Sequence, residues 1–91
     1  MQKIKKEKMS FSLEDVNAKE VYLVGEFNNW KQDAHPMKNN GKGKWAKQVQ
    51  LSEGTFEYKF LVDNQWMVDP ENKRTCPNCF GTQNSIVSVS K

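Results

Sequence analysis

The chain has 91 residues, of which 36% are hydrophobic and 11% aromatic, so it is long enough for one small domain with its own core. Its formal charge of +3 comes from residues 1–8, and the neutral remainder argues against the basic face of a nucleic-acid-binding domain. No apolar run reaches the roughly 20 residues that cross a bilayer, and no signal-peptide segment follows the basic start, so we expect a cytoplasmic protein without a membrane partner.

Hydrophobic periodicity indicates strands from the start of the chain onward. Residues 1–8 are predicted to form a basic, disordered tail, and residues 9–91 a single domain. Met9, Phe11 and Leu13 alternate with polar residues, which is the pattern of a strand with one buried face. The run "VYLV" from residue 21 to 24 predicts a short, mostly apolar strand. In "KWAKQVQL", residues 44–51, Trp45, Val49 and Leu51 share one face, so this segment is also a predicted strand.

The second half of the chain predicts a hairpin, a long loop and a final strand. In "TFEYKFLVD" the aromatic residues Phe56, Tyr58 and Phe60 share the core face, so Lys59 points away from it. Asp63 and the residue after it tolerate positive φ, which predicts a tight turn. Residues 69–84 show little strand character, and loops of that length are usually functional or disordered. The short strands predict an all-β fold, namely an antiparallel β-sandwich.

The three tryptophans are predicted to lie in different environments. Trp45 is in phase with the apolar face of its strand and is expected in the core. Trp30 follows two asparagines and Trp66 follows the tight turn, so these rings either fold back onto the core or form an exposed platform. A platform next to Lys59 and several amides would suit a sugar. Pyranose C–H groups pack on aromatic faces, and hydroxyls pair with amide and ammonium groups.

A family resemblance adds to this interpretation. The blocks "VYLVGEFNNW", "EYKFLVDNQW" and "FGTQNSIVSV" occur in the same order as in the glycogen-binding domain of the AMP-activated protein kinase beta subunit. They are equally similar to the family 48 carbohydrate-binding modules of branching and debranching enzymes. The resemblance extends from about Glu20 to Val89. It implies an immunoglobulin-like (early-set) antiparallel β-sandwich. It also implies non-catalytic binding of α-1,4-linked glucans such as glycogen, starch and maltooligosaccharides, with no cofactor.

The resemblance also implies roles for individual residues. Two tryptophans would sandwich glucose units, one apolar residue would pack on the sugar, and three polar residues would bond its hydroxyls. In this sequence the corresponding residues are Trp30, Trp66, Phe80, Lys59, Thr82 and Asn84. The family's turn glycine is Asn64 here, and Phe80 stands where the kinase members have leucine. The nearest acids, Asp63, Asp69 and Glu71, are interpreted as turn and loop residues rather than as a catalytic pair.

Two other functions are alternatives to sugar binding. The same sandwich could be a protein-interaction module that docks a kinase or a glycogen-metabolism enzyme. The exposed rings could also stack on single-stranded nucleic acid, although such binding would depend steeply on salt.

The segment "CPNC" has no assigned role. A structural zinc site usually needs a second cysteine pair or suitably spaced histidines, and the single histidine, His35, is distant in sequence from Cys76 and Cys79. No helical period surrounds the segment, as a thioredoxin-like site would require. Two reduced loop thiols, a zinc ion shared by two copies and a redox role remain open, and we expect no metal.

Purified protein is therefore expected to contain far less than one zinc ion per chain, because Cys76 and Cys79 lack the two further ligands that a tetrahedral site needs. Elemental analysis of protein purified without chelators measures this ratio. Stoichiometric zinc would contradict the expectation and would indicate a site shared between two copies.

Overall fold

The computed structural model describes residues 6–14, 17–78 and 81–89, and these residues form two antiparallel sheets. The first sheet has the order β1-β4-β3. The second has the order β2-β5-β8-β7, with β6 also paired to β5. The elements are β1 (Lys6–Leu13), β2 (Val21–Gly25), a 3-10 helix (Glu26–Asn28), β3 (Lys38–Asn39), β4 (Trp45–Ser52), β5 (Gly54–Val62), β6 (Gln65–Met67), β7 (Thr75–Pro77) and β8 (Gln83–Val89). Within the described ranges, no helix has the length and apolar character needed to cross a membrane.

Both sheets contribute to one hydrophobic core, which confirms the predicted all-β, immunoglobulin-like antiparallel sandwich. The first sheet supplies Phe11 and Trp45, and the second supplies Tyr58 and Phe60. The ring of Phe11 meets the edge of Tyr58 at a centroid distance of 5.0 Å. Offset and edge-to-face aromatic pairs of this kind add to the stabilisation from area burial. Trp45 is buried in the core, as predicted.

Two local predictions about strand boundaries are wrong. The predicted tail ended at residue 8, but β1 begins at Lys6, which pairs with Ser52, while residues 1–5 lie outside the described ranges. The stretch 69–84 also contains a strand, because Thr75 pairs with Ser85 and extends the second sheet. In both places the backbone hydrogen bonds of a neighbouring strand stabilise residues whose own pattern does not favour a strand.

The predicted hairpin between β5 and β6 is confirmed. Asp63 and Asn64 have φ angles of 46° and 68°, and a two-residue type I′ turn needs positive φ at both positions. The Asp63 carboxylate also accepts hydrogen bonds from the backbone amides of Lys19 and Glu20, each at 3.0 Å from Oδ1. The turn is therefore tied to the segment before β2, and this contact fixes the hairpin that carries Trp66.

Gly25 lies where β2 and β5 approach too closely for a side chain. A Cβ atom at this position would lie 2.6 Å from the carbonyl oxygen of Glu57 and 2.8 Å from Cβ of Tyr58. Neither atom can move without shifting β5. We therefore expect Gly25→Ala to lower the free energy of unfolding by about 1–3 kcal/mol, the usual cost of overpacking. Urea unfolding measures this change, with exposed Gln50→Ala on β4 as the control. An unchanged midpoint for Gly25→Ala would contradict the expectation.

Candidate functional site

The outward face of the second sheet brings polar residues and one tryptophan together. Directly paired residues of antiparallel strands project to the same face. Lys59 and Glu57 alternate with the core residues of β5, so they project outward. Leu61 pairs with Trp66 and Cys76 pairs with Asn84, and these pairs add to the same face. The alternation of β5 therefore separates the core from this surface.

This face forms part of a concavity of about 860 Å³. Its lining residues combine exposed aromatic rings, carboxylates, amides, a hydroxyl and one ammonium group: Glu26, Trp30, Gln32, Glu57, Lys59, Trp66, Asn78, Thr82 and Asn84. The side chains of Trp30 and Trp66 are 37% and 46% exposed. The sequence allowed these two rings either to fold back onto the core or to be exposed. Both are exposed, whereas Trp45 is in the core.

The loop before Trp30 is held by the side chain of Asn28. Its Oδ1 accepts from the Gly25 amide at 3.0 Å, and its Nδ2 donates to the Leu23 carbonyl at 3.0 Å and to Nδ1 of His35 at 2.8 Å. Burial and then the charge of Lys47 lower the pKa of His35, which favours the neutral ring that can accept this bond.

The backbone of Asn29 and Trp30 turns the indole outward. Their φ angles are 58° and 59°, in the left-handed region that asparagine tolerates and tryptophan rarely adopts. The Trp30 amide donates to the Gly25 carbonyl at 2.9 Å and closes the loop. The two asparagines before the ring thus have separate functions. The side chain of Asn28 anchors the loop, and the left-handed backbone of Asn29 turns the direction of the chain.

A chain of hydrogen bonds connects the polar residues of the concavity. Lys59 Nζ donates to Thr82 Oγ1 at 3.1 Å. Asn78 Nδ2 donates to the same oxygen at 2.8 Å and to Asn84 Oδ1 at 2.9 Å. Asn84 Nδ2 in turn donates to Glu57 Oε1 at 3.0 Å. Lys59 and Asn84 are buried, so their head groups are held in position.

Asp69 is a buried carboxylate in the second sheet's core-facing network rather than a member of the concavity. Its Oδ2 accepts from the Tyr58 hydroxyl at 2.6 Å, and its backbone amide donates to Ser85 Oγ at 2.9 Å. Burial, followed by this hydrogen bond to Asp69, raises the pKa of Tyr58 far above its ordinary value. Asp69 therefore anchors the start of the loop that leads to β7.

Most of the residues singled out in the sequence meet in this concavity. Trp30, Lys59, Trp66, Thr82 and Asn84 all line it, whereas Phe80 lies outside the described residues. Four further lining residues were not identified in the sequence: Glu26, Gln32, Glu57 and Asn78. The alternation of side chains along β5 predicts that Glu57 lies on the same face of the strand as Lys59. No feature of the sequence distinguished Asn78.

The "CPNC" segment borders the concavity through its first cysteine. Interaction with the Glu57 carboxylate raises the pKa of the Cys76 thiol. Cys79 lies outside the described residues. Among the residues that the structure does describe, no three His, Cys, Asp or Glu side chains are grouped as metal ligands.

Comparison with known proteins gives one consistent family. The family described as the glycogen recognition site of AMP-activated protein kinase matches residues 8–91. The 5'-AMP-activated protein kinase subunit beta-1 of Sus scrofa is 41% identical over 73 residues, which cover 80% of this chain and 57% of that sequence. The human beta-1 subunit is 40% identical over 73 residues, which cover 80% of this chain and 26% of that sequence. This chain therefore spans only part of the length of these relatives.

A solved structure shows the same fold. A maltogenic amylase from S. marinus superposes with a TM-score of 0.79 and covers 96% of this chain, which corresponds to 14% of the amylase chain. The sequence identity is 16%, so this likeness concerns the fold alone.

The hydrogen bonds to Glu57 make its titration a test of the network. Donation by Asn84 and then by the Cys76 thiol lowers the pKa of Glu57, because both donors favour the carboxylate. The resulting stabilisation is complete above the pKa of the unfolded chain and is lost as the pH falls through the lower folded value. We expect an NMR titration of the Glu57 carboxyl carbon to show a lowered pKa that rises in Asn84→Ala. The loop variant Asn40→Ala is the control, and a pKa insensitive to Asn84 would contradict the network.

Proposed function

This chain belongs to the family of the glycogen recognition site of AMP-activated protein kinase, and we propose from that premise that it binds α-1,4-linked glucans without catalysis. The proposed ligands include glycogen, starch and maltooligosaccharides. The observation that carries the proposal is the pair of exposed rings, Trp30 and Trp66, in one concavity with the largely buried residue Lys59.

The chemistry of the concavity suits a pyranose. A glucose unit has C–H faces that pack on indole rings and a rim of hydroxyls that need hydrogen-bond partners. In the proposed site, Trp30 and Trp66 stack on glucose units while Lys59, Thr82 and Asn84 bond to hydroxyls. Phe80, which belongs to the same family motif, is proposed as a further packing contact.

The separate origins of the two rings favour a curved polymer. Trp30 follows the 3-10 helix, whereas Trp66 lies on β6. Rings carried by different elements fit the curvature of an α-1,4-glucan better than the flat ribbon of cellulose. We therefore propose selectivity for α-linked chains.

The state of the carboxylates supports binding without hydrolysis. Glycoside hydrolysis needs two carboxyl groups about 5–9.5 Å apart, one of them with a raised pKa so that it can act as the acid. The pKa of Glu57 is lowered instead. Glu26 Oε1 accepts from the Glu57 amide at 2.7 Å, and Asp69 is buried against Tyr58. These contacts suit structural and binding roles.

The names of the relatives support a second function on the same scaffold. They are subunits of a kinase, and this chain corresponds to part of their length. We propose that the module accompanies a kinase or a glycogen-metabolism enzyme in the cytoplasm, with the glucan site left open. Docking of the sandwich on such a partner, without glucan binding, is the alternative function.

The affinity should be modest because the site is open and contains few rings. Each aromatic contact contributes about 0.5–1.5 kcal/mol beyond area burial, and a hydrogen bond from Lys59 about 1.5–3 kcal/mol. Association costs at least about 4 kcal/mol in lost freedom. The expected Kd for a maltooligosaccharide is therefore roughly micromolar to millimolar.

Affinity electrophoresis tests the proposal directly. Gels containing glycogen or amylopectin should retard the protein, whereas gels containing a soluble cellulose should not. Trp30→Ala and Trp66→Ala should each abolish retardation, because each removes one stacking face, and both variants should stay folded.

Met67→Ala is the matched control, since Met67 is 37% exposed on the same short strand as Trp66 but does not line the concavity. It should migrate like the wild type in every gel. Equal retardation by cellulose and amylopectin would overturn the selectivity for α-linked chains. Retardation that survives both tryptophan replacements would remove the proposed site.

A further inference from the structure

Glu57 is a lining residue of the concavity that the family motif does not assign. It lies on β5 two residues before Lys59, on the same outward face. Its backbone amide donates to Glu26, and its side chain is only partly buried. The donors and acceptors around it indicate what it can offer to a ligand.

The side of the concavity formed by Lys59 and Thr82 can act toward a ligand only as a donor. The Thr82 hydroxyl oxygen accepts from Lys59 Nζ and from Asn78 Nδ2 at 3.1 and 2.8 Å. A hydroxyl has two lone pairs and one hydrogen, so its hydrogen is what remains for a ligand. The Lys59 ammonium group has three hydrogens and no lone pair.

Asn78 uses its own groups within the protein. The two hydrogens of its amide nitrogen are directed to Thr82 and Asn84, and its Oδ1 accepts from the Thr82 amide at 3.2 Å. Asn84 Oδ1 receives one of these bonds, while its Nδ2 donates to Glu57. The two amides thus orient their neighbours, and each of their carbonyl oxygens already accepts one hydrogen bond within the protein.

The Glu57 carboxylate supplies an acceptor beside these donors. Two carboxylate oxygens offer about four lone-pair positions. The Asn84 amide occupies part of this capacity, and hydrogen bonding lowers the pKa of the group, which favours its charged form. Each hydroxyl of glucose has a hydrogen to donate, so a bound glucose unit needs an acceptor as well as the donors on the Lys59 side.

We propose that the Glu57 carboxylate binds the glucan directly, accepting a hydrogen bond from a glucose hydroxyl while Lys59 and Thr82 donate to other hydroxyls of the chain. This inference rests on the proposed α-glucan site and adds a specificity-determining residue to it. The donors on one side and the acceptor on the other orient the hydroxyls of the bound glucose unit. A ligand that lacks a donor hydroxyl at that position loses this contact.

Calorimetry with maltoheptaose tests the proposal through the conservative variant Glu57→Gln. The glutamine keeps the size and the acceptor for Asn84 but removes the charge. We expect the Kd to rise about five- to tenfold, the difference between a charged and a neutral hydrogen-bond partner. Glu53→Gln makes the same charge change in the exposed turn between β4 and β5 and should leave the Kd unaltered. An unchanged Kd for Glu57→Gln would overturn the proposal.

Fluorinated ligands separate direct contact from an indirect structural effect. In a series of maltotriosides with one hydroxyl replaced by fluorine, the altered position cannot donate. The wild type should lose affinity at one position or more, and Glu57→Gln should lose less at that same position. If the variant weakens every ligand by the same factor, Glu57 only supports the structure and the proposal fails.

A measurement on the unmodified protein covers the case in which Glu57→Gln does not fold. The NMR signal of the Glu57 carboxyl carbon should shift on addition of maltoheptaose, and its pKa should fall further, because the sugar donates to the carboxylate. A signal and a pKa that are both unmoved at saturation would overturn the inference and leave α-glucan binding intact. If wild-type protein binds no α-glucan in these titrations, the proposed function and this inference both fail.

Discussion

The alternation of side chains along β5 is the constraint on which the rest of the molecule depends. Tyr58 and Phe60 point into the core, while Glu57 and Lys59 point into the concavity. The strand also pairs with β2, β6 and β8, so its register positions every neighbour that contributes to the surface. A slip of one residue would exchange the two faces, burying two charged side chains and exposing two aromatic rings. The stability of the core therefore enforces the geometry of the concavity.

The sequence alone predicted those parts of the fold that a local pattern encodes. The alternation around Phe11 and along β5 was sufficient for the strands and for the sandwich, and Asp63 with Asn64 was sufficient for the turn. The start of β1 at Lys6 and the short strand β7 could not be predicted in this way. Both depend on hydrogen bonds to a strand that is distant in sequence, and a three-residue strand is too short to show a period.

The candidate site shows the same division between local and distant information. Lys59 could be placed on the outward face by parity, and Trp30 and Trp66 could be placed at loops by their polar neighbours. Glu57 and Asn78 were not identified, because what distinguishes them is a chain of contacts that joins β5 to the end of β8 through Asn84. Such a chain exists only once the strands are paired, so no property of the isolated segments could reveal it.

The backbone at Trp30 has a consequence for how this surface can evolve. A left-handed φ of 59° suits glycine or asparagine, and a residue with a larger side chain incurs a cost of about 1–2 kcal/mol there. Selection for stability alone would therefore favour replacing the indole with glycine, which would relax the loop. A lineage that no longer needs the ring should lose it readily, whereas one that keeps it accepts a permanently less stable loop. The stability of the loop therefore does not account for an aromatic side chain on this backbone.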